Sequence, residues 1–462
     1  MPENSAASSA PADANGRQEV DWLLTDIDWI VTCNDAMQCI EDGAIAIQAG
    51  RLTAIGPTRE LAGKFHARRH LRLQGHLAAP GLINAHTHAA MSCLRGLADD
   101  LPLQRWLYEV IFPTEARHVN PDFVYWGTLL AAAEMLQNGV TTFCDGYFFE
   151  HSAVEAARAI GSRAVLAQGI LDFPTPDQPD PSQARACAED FLRHFNNSED
   201  RLRPSLFCHA PYTCKAETLQ WVKQLCRQQG ILFQIHLSET AEEAAQLTKK
   251  YGARPVSYLD RLGVLDELTL CAHSIWLQKD EIELLAKRKS GVSHNVESNM
   301  KLAAGVAPVP TMLRAGVCVA LGTDSCASNN DLDLFSEMDK VAKLHKVIQH
   351  DPLVCSAPKV LQMATVKGAA ALGWKEQIGS LEVGKQADII AIDLAQPHLT
   401  PLYEPVSQLV YAARGSDVRH VWVGGERVVA DGRVQTLDLA EVLREVRKIA
   451  GAIKSESQYR FE

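Results

Sequence analysis

The sequence lacks the features that mark several large classes of protein. Its first twenty residues are rich in Ala, Ser and Pro and contain no apolar core of the kind that a secretion signal needs. No apolar stretch reaches the ~18 residues needed to cross a bilayer. The formal net charge is −11, and no long basic run is present, so nucleic-acid binding is not expected. We therefore expect a cytoplasmic protein that binds neither membranes nor nucleic acids.

Cysteine pairs with metal-binding or redox spacing are also missing. The twelve cysteines are scattered from Cys33 to Cys355, and none forms a C-x-x-C pair. This excludes a zinc ribbon and a thioredoxin-like motif. A chain of 462 residues can bury a large core without disulfides, and scattered thiols fit a reducing compartment.

Short β-like runs occur at both ends of the chain. Near the start they include IDWIVTC, GAIAIQAGRLTAIG and HLRLQG, and near the end ADIIAIDL and HVWVGGERVV, whose Gly-Gly corner predicts a hairpin. The two sets predict one small composite β-sandwich domain built from both chain ends. The expected ranges are 1–19 for a flexible extension, 20–78 and 377–440 for the two parts of the β domain, 79–376 for the middle, and 441–462 for a C-terminal helix or tail.

Eight strand-like segments, each followed by helix-like sequence, fill the middle of the chain. They are LINAHTH, VTTFCD, RAVLAQGI, SLFCHA, LFQIHLS, LTLCAHS, GVSHN and VCVALGTD. After the first of them, Asn120 is a plausible N-cap, Pro121 suits a first helical position, and Asn138-Gly139 would end that helix. Eight βα units predict an α/β fold with a (β/α)₈ TIM barrel. A doubly wound open sheet is the alternative, but no Gly-rich phosphate loop follows the first strand.

Two histidines separated by one residue end the first of these strands. On a strand, residues i and i+2 point to one face, so His86 and His88 would both face the barrel interior at its C-terminal end. Paired neutral imidazoles suit a divalent ion such as zinc. The alternative is two histidines on an exposed strand end.

Two further strands end in a residue that could complete this site. His236 follows an apolar run, and Asp324 ends the last strand, where an unpaired buried carboxylate would be costly. Singly, His236 could be a satisfied core histidine and Asp324 a helix N-cap. Together, four such residues at the C-terminal ends of three predicted barrel strands favour a shared ion. The sequence therefore predicts one divalent metal per chain, held by His86, His88, His236 and Asp324.

Three more polar residues stand at strand ends near this predicted site: His209, Glu239 and His273. Glu239 follows His236 by three residues, where a general base beside a metal-activated water is needed. The alternative is an acidic residue in the first turn of a helix, with Thr240 and Glu243 forming a capping box.

Several longer motifs resemble the amidohydrolase superfamily. They are PGLINAHTH, DDLPLQRWL, HLSE, SNMKLAAGVAPVP, LGTDSCASNN and SLEVGKQADII. The DDLPL, SNMKL and SNN segments resemble in particular the branch of 5′-methylthioadenosine/S-adenosylhomocysteine deaminases. The resemblance covers about residues 44–434 and implies a (β/α)₈ barrel with a composite β-sandwich domain. It also implies a single metal ion, most often zinc, because the fourth strand SLFCHA has no lysine of the kind that bridges two metals.

The resemblance also implies roles for individual residues. Glu239 is similar to a proton shuttle that shares proton transfer with Asp324, and His273 to the group that orients the attacking water. Glu115, which would otherwise be taken for a surface helix residue, matches a position that binds ribose hydroxyls. His209 matches a substrate-facing position, and Trp106 either stacks on the substrate or packs in the core.

The implied reaction is deamination of an adenine nucleoside to its hypoxanthine form with release of ammonia. The partner would be this small-molecule nucleoside, and a large barrel of this kind is expected to be a homo-oligomer. The alternatives are an amidohydrolase acting on guanine or an s-triazine ring, and a catalytically inactive barrel scaffold, which should have lost ligands. Two differences from the family pattern bear on the identity of the substrate. Ser325 stands where many members of the branch have glycine. No arginine is assigned to bind the carboxylate of S-adenosylhomocysteine.

Overall fold

Residues 16–195 and 200–456 are described by a computed structural model, and they form two β-sheets surrounded by helices. The strands are β1 (Gln18–Val31), β2 (Cys39–Gln48), β3 (Arg51–Pro57), β4 (Phe65–Arg72), β5 (His76–Pro80), β6 (Leu82–Thr87), β7 (Val140–Tyr147), β8 (Arg163–Ile170), β9 (Leu202–Cys208), β10 (Leu232–Leu237), β11 (Thr269–His273), β12 (Gly291–His294), β13 (Cys318–Leu321), β14 (Ile389–Asp393), β15 (Val418–Val423), β16 (Glu426–Ala430) and β17 (Arg433–Val434).

The α-helices lie mainly between the strands of the second sheet. They are α1 (Thr58–Leu61), α2 (Leu103–Arg105), α3 (Phe112–His118), α4 (Pro121–Gln137), α5 (Glu150–Ile160), α6 (Ala184–His194), α7 (Ala216–Gln229), α8 (Ala241–Tyr251), α9 (Pro255–Arg261), α10 (Lys279–Arg288), α11 (Val296–Lys301), α12 (Val309–Arg314), α13 (Leu334–Gln349), α14 (Ala357–Met363), α15 (Val366–Ala371), α16 (Pro405–Tyr411) and α17 (Leu439–Glu456). Short 3₁₀ helices and one π-helix, Trp106–Ile111, complete the set.

The eight strands β6 to β13 form a parallel sheet in chain order, which confirms the predicted barrel. The ladder pairs each strand with the next, and the backbone N–H of Asp324 donates to the carbonyl of His86 at 3.0 Å, so the last strand meets the first. Every residue of β6, β7 and β8 is buried, as expected for parallel strands covered on both faces. Helix α4 is capped by Asn120, whose side chain accepts from the N–H of Phe123 at 3.0 Å.

The other sheet is mixed and contains strands from both chain ends, as predicted. Strand β5 joins the two sets by pairing with β1 in parallel and with β14 antiparallel. The predicted hairpin joins β15 to β16 through Gly424 and Gly425, whose φ angles of 53° and 78° fit a turn that favours glycine. Trp22 and Trp422 meet edge to face in the core of this sheet, with ring centroids 6.0 Å apart.

The chain ends are only partly described. Most of the expected extension, residues 1–15, and the last six residues of the expected tail, 457–462, lie outside the described residues. Within the described part, β1 begins at Gln18 and α17 ends at Glu456. The domain ranges stay a proposal. Among the described residues no helix combines the length and apolarity of a membrane span, and all twelve cysteines are unpaired.

One buried ion pair joins the two sheets. The guanidinium of Arg163, at the start of β8, donates to both carboxylate oxygens of Asp388, at 2.8 and 3.1 Å. Asp388 also accepts from the backbone N–H of Gly424 in the hairpin, at 2.6 Å. Because both side chains are almost fully buried, neither charge could find water if the other were removed.

We predict that Asp388→Ala lowers the thermal unfolding midpoint strongly, because removing one partner of a buried ion pair costs about 3–5 kcal/mol. Glu189→Ala serves as the control, since its pair with Arg185 is exposed and worth at most about 1 kcal/mol. Differential scanning calorimetry measures both. Equal midpoints for the two variants would show that the pair does not hold the sheets together.

Candidate metal centre and active site

The four predicted metal ligands converge at the C-terminal end of the barrel. The Nε2 atom of His236 lies 3.3 Å from that of His88 and 3.2 Å from that of His86. The Oδ1 atom of Asp324 lies 3.6 Å from Nε2 of His86 and 3.4 Å from that of His88. Four donor atoms from strand ends far apart in the chain thus enclose one small space.

The donor spacing fits a transition-metal ion. Ligands about 2.0–2.1 Å from a tetrahedral ion lie about 3.3–3.4 Å from one another, close to the distances found here. Burial lowers the pKa of His86 and of His236 well below the usual value, so both imidazoles are neutral and carry a lone pair. His88 contacts the carbonyl of Gly146 through Nδ1 at 2.6 Å, which places its proton there and leaves Nε2 as the ligand atom.

Two serines hold the carboxylate of Asp324. The hydroxyls of Ser298 and Ser328 each donate to Oδ2 at 2.7 Å, which leaves Oδ1 facing the histidines. Burial opposes ionisation of Asp324, but His273, His88, His86 and Ser298 outweigh it and keep the pKa of this carboxyl below its usual value. The orientation of Asp324 is therefore fixed by groups that sequence reasoning had not selected.

The backbone is strained at several positions around these ligands. Asp324 has a φ of 61° and His273 a φ of 67°, and Ser238 and Ser274 also have positive φ. Residues other than glycine adopt this region at a cost of about 1–3 kcal/mol each, and such residues cluster at functional sites. These four residues end or follow the strands β10, β11 and β13.

Glu239 lies outside the helix that follows it. Thr240 is the N-cap of α8 and accepts from the N–H of Glu243, so this part of the predicted capping interaction is present. The buried carboxyl of Glu243 in turn accepts from the N–H groups of Ser238 and Glu239, at 3.0 and 2.9 Å. The side chain of Glu239 is thereby left to line the cavity rather than to stabilise a helix terminus.

His273 lies beside Glu239 and is held by an amide. Its Nε2 is 3.9 Å from Oε1 of Glu239, and its Nδ1 is 2.9 Å from Oδ1 of Asn299. Since an amide oxygen only accepts, Nδ1 carries a proton and Nε2 faces the site. Burial opposes protonation of His273, but Glu239 and Asp324 outweigh it and raise its pKa. Burial likewise raises the pKa of Glu239.

Glu115 is buried rather than exposed, although it lies on a short helix. Its Oε1 accepts from the hydroxyl of Tyr147 at 2.6 Å, and burial raises its pKa to about 7. The interpretation as a surface residue is therefore wrong.

Of the other two predicted substrate contacts, His209 is partly buried and Trp106 is buried. The ring of His209 lies 5.0 Å from that of His236, and burial lowers the pKa of His209 to about 3. Trp106 is 5% exposed, and its indole N–H has no hydrogen-bond partner among the described residues.

One cavity joins these groups. Of the residues predicted for the site, all but His86 line it: His88, Trp106, Glu115, His209, His236, Glu239, His273 and Asp324. Ser325 also lines the cavity, and its hydroxyl lies 3.1 Å from that of Ser328, one of the serines that hold Asp324.

Sequence reasoning missed the residues that orient the predicted ones. Ser298 and Asn299 lie in the SNMKL segment, Ser328 in the ASNN segment, and Tyr147 is the last residue of β7, the second barrel strand. The SNMKL and SNN segments resemble family motifs. A run of small polar residues does not indicate, however, which of them forms a hydrogen bond to a metal ligand.

Comparisons with known proteins agree with this geometry. A family model described as the amidohydrolase family matches residues 77–428. A 5-methylthioadenosine/S-adenosylhomocysteine deaminase of Syntrophobacter fumaroxidans is 49% identical over 90% of this chain and 94% of its own length. The crystal structure of an adenosine deaminase from Xanthomonas campestris with bound zinc superposes with a TM-score of 0.93, at 37% identity, and covers 95% of this chain and 100% of its own. The crystal structure of atrazine chlorohydrolase from Arthrobacter aurescens, also complexed with zinc, is 22% identical and superposes with a TM-score of 0.85. The match covers 93% of this chain and 100% of that chain, and it shows a shared fold.

We predict that removing both serine hydroxyls, in Ser298→Ala/Ser328→Ala, weakens metal affinity about 10–100-fold, because groups that orient a ligand contribute about that much. Chelator competition followed by elemental analysis measures the affinity. The exposed Ser182 provides a matched control substitution to alanine. Unchanged affinity in the double variant would mean that Asp324 needs no support from these hydroxyls.

Proposed function

This chain belongs to the amidohydrolase family, and on that premise we propose that it is a metal-dependent deaminase of adenine nucleosides: 5′-methylthioadenosine, S-adenosylhomocysteine or adenosine. The observation that carries the proposal is one cavity that joins a His/His/His/Asp site to a buried carboxyl group, Glu115. The names of the relative at 49% identity and of the structure at 37% support the same reaction.

The metal site would hold one zinc ion, through His86, His88, His236 and Asp324. A divalent ion in such a set supplies Lewis-acid chemistry, which lowers the pKa of a water molecule towards ~7 and so provides a nucleophile at neutral pH. The neutral state of the buried imidazoles and the free Oδ1 of Asp324 support this assignment.

Glu239 and His273 would handle the protons. In the reaction a C6–O bond forms and the C6–N bond of the 6-amino group breaks, with ammonia leaving. Glu239 would take a proton from the attacking water and deliver it to N1 of the ring, while Asp324 assists in passing the second proton to the departing amine. The Nε2 of His273 would orient the attacking oxygen, and its bond to Asn299 keeps the ring in place.

The nucleoside itself would be held at the other end of the cavity. Glu115 would accept hydrogen bonds from the ribose hydroxyls. Its carboxyl group also accepts one from the hydroxyl of Tyr147, which holds it in place. The buried N–H of Trp106 has no partner among the described residues and its side chain lines the cavity, so it would donate to the substrate as well as pack against it. His209, neutral because of burial, would contact the base.

The alternatives are less well supported. An inactive scaffold would not be expected to keep four converging ligands together with Glu239 and His273. A guanine or s-triazine substrate has no ribose for the buried Glu115, and the likeness to atrazine chlorohydrolase at 22% identity reflects the fold alone. Self-association of the chain stays a prediction.

The decisive experiment follows ultraviolet absorbance, which changes when adenine becomes hypoxanthine. We expect the zinc-loaded protein to deaminate adenine nucleosides and to leave guanine and chloro-triazines unchanged. Glu239→Gln should keep about one metal per chain and lose turnover about 10²–10⁴-fold, because it removes the proton carrier but not a ligand. A glutamine variant with full activity, or turnover of guanine alone, would contradict the proposal.

Glu115 should give substrate binding a pH dependence. Its carboxyl, with a pKa of about 7, is protonated below that pH and becomes a full acceptor above it. We therefore predict that KM for nucleosides falls between pH 6 and 8, and that Glu115→Gln raises KM about 10–100-fold and removes this dependence. Free adenine, which has no ribose, is the control. A Glu115→Gln effect of equal size on adenine would argue against a ribose contact.

A further inference from the structure

We infer that the active site selects adenine nucleosides with a small, uncharged 5′ substituent and discriminates against S-adenosylhomocysteine, whose 5′ group ends in an amino acid zwitterion. This inference rests on the proposed function and narrows it. It derives from the chemistry of the side chains that line the cavity and from the pairing of Lys301, which lines the adjoining groove.

The outer part of the cavity has an apolar wall. The segment from α2 to α3 contributes Leu103, Leu107, Ile111 and Phe112, all of which line it. Leu171, after β8, lines the cavity as well. Such a wall favours a methyl or methylthio group, because burial of apolar surface is favourable, and offers nothing to a charged group.

The carboxyl groups that line the cavity offer no partner to a substrate carboxylate. They belong to Glu115, Glu239 and Asp324, and among the described lining residues there is no lysine or arginine. A buried carboxylate needs a cationic or strong donor partner, most often the planar fork of arginine. The ammonium of the zwitterion could pair with a glutamate carboxylate. The carboxylate on the same carbon would then lie beside that glutamate and be repelled by its negative charge.

The lysine of the groove beside the cavity, Lys301, already has hydrogen-bond partners. Lys301 precedes Leu302, and its ammonium donates to Oδ1 of Asp99 at 2.7 Å and to the carbonyl of Ala327 at 3.2 Å. It lines an adjoining outer groove, together with Asp100 and Glu242.

Two leucines separate this groove from the cavity. Leu103 and Leu302 line both spaces and so form the boundary between them. A zwitterionic tail that passed between these two side chains would meet two acidic groups, Asp100 and Glu242, and one lysine that is already paired.

The test compares three nucleosides on the zinc-loaded, full-length protein. They are 5′-methylthioadenosine, S-adenosylhomocysteine and 5′-butylthioadenosine, which matches the homocysteine tail in length but has no charge. We expect kcat/KM for the butylthio compound within about threefold of that for methylthioadenosine, and a value about 100-fold lower for S-adenosylhomocysteine, mainly through KM. Values for S-adenosylhomocysteine within threefold of methylthioadenosine would overturn the inference, as would an equally poor butylthio compound, which would point to length.

A substitution at the boundary checks the charge argument directly. Leu302→Arg adds a cation between the cavity and the groove, and Leu302→Met is the matched uncharged control. We expect the ratio of kcat/KM for S-adenosylhomocysteine over methylthioadenosine to rise at least about tenfold in the arginine variant and to stay unchanged in the methionine variant. A ratio that is the same in both would count against selection by charge.

Binding to Glu239→Gln, measured by calorimetry, distinguishes failure of the inference from failure of the proposed function. If the variant binds the three nucleosides in the expected order but the parent protein deaminates none of them, the proposed function fails and the selectivity stands. If deamination occurs and the affinities are equal, the function stands and the selectivity fails.

Discussion

The hydrogen bonds that close the barrel hold the rest of the site together. The N–H of Asp324 donates to the carbonyl of His86, and the hydroxyl of Thr87 donates to the carbonyl of Asp324 at 2.9 Å. Two residues before His86, the side-chain amide of Asn84 accepts from the N–H of Thr323 and donates to the hydroxyl of the same threonine. Because these bonds join the first strand to the last, the same contacts that complete the sheet also bring the first two metal ligands against the fourth. A barrel that failed to close would have no metal site.

Closure has an electrostatic consequence, because it removes water from every group at the strand ends. Desolvation opposes charge, so it keeps the imidazoles of His86 and His236 neutral and able to bind a metal. The same desolvation raises the pKa of the carboxyls of Glu115 and Glu239, while Asp324 stays ionised because imidazoles and hydroxyls surround it. One buried cavity thus gives neutral ligands, an ionised ligand and proton-carrying carboxyls, which is the combination that acid–base chemistry at neutral pH requires.

The sequence predicted those parts of the structure that depend on local pattern. The eight barrel strands are apolar runs, and each metal ligand follows such a run, so strand periodicity and topology together indicate where they meet. The supporting residues leave no comparable signal. Ser298 and Ser328 are small and polar, and their bonds to Asp324 depend on loop conformations with long-range partners. Glu115 lies on a seven-residue helix, too short for periodicity to reveal that it is buried against Tyr147.

The side chains proposed for catalysis and those proposed for substrate selectivity come from different structural elements. The metal ligands, Glu239 and His273 are fixed to the ends of barrel strands, where a shift of one residue would turn a side chain to the opposite face. The apolar wall comes instead from the segment between β6 and α4, which includes the π-helix Trp106–Ile111. A π-helix accommodates an extra residue per turn and so reorients the side chains on either side of it without changing the strands. The shape and polarity of the outer cavity can therefore change while the four ligands keep their positions, so relatives with the same metal site need not share a substrate.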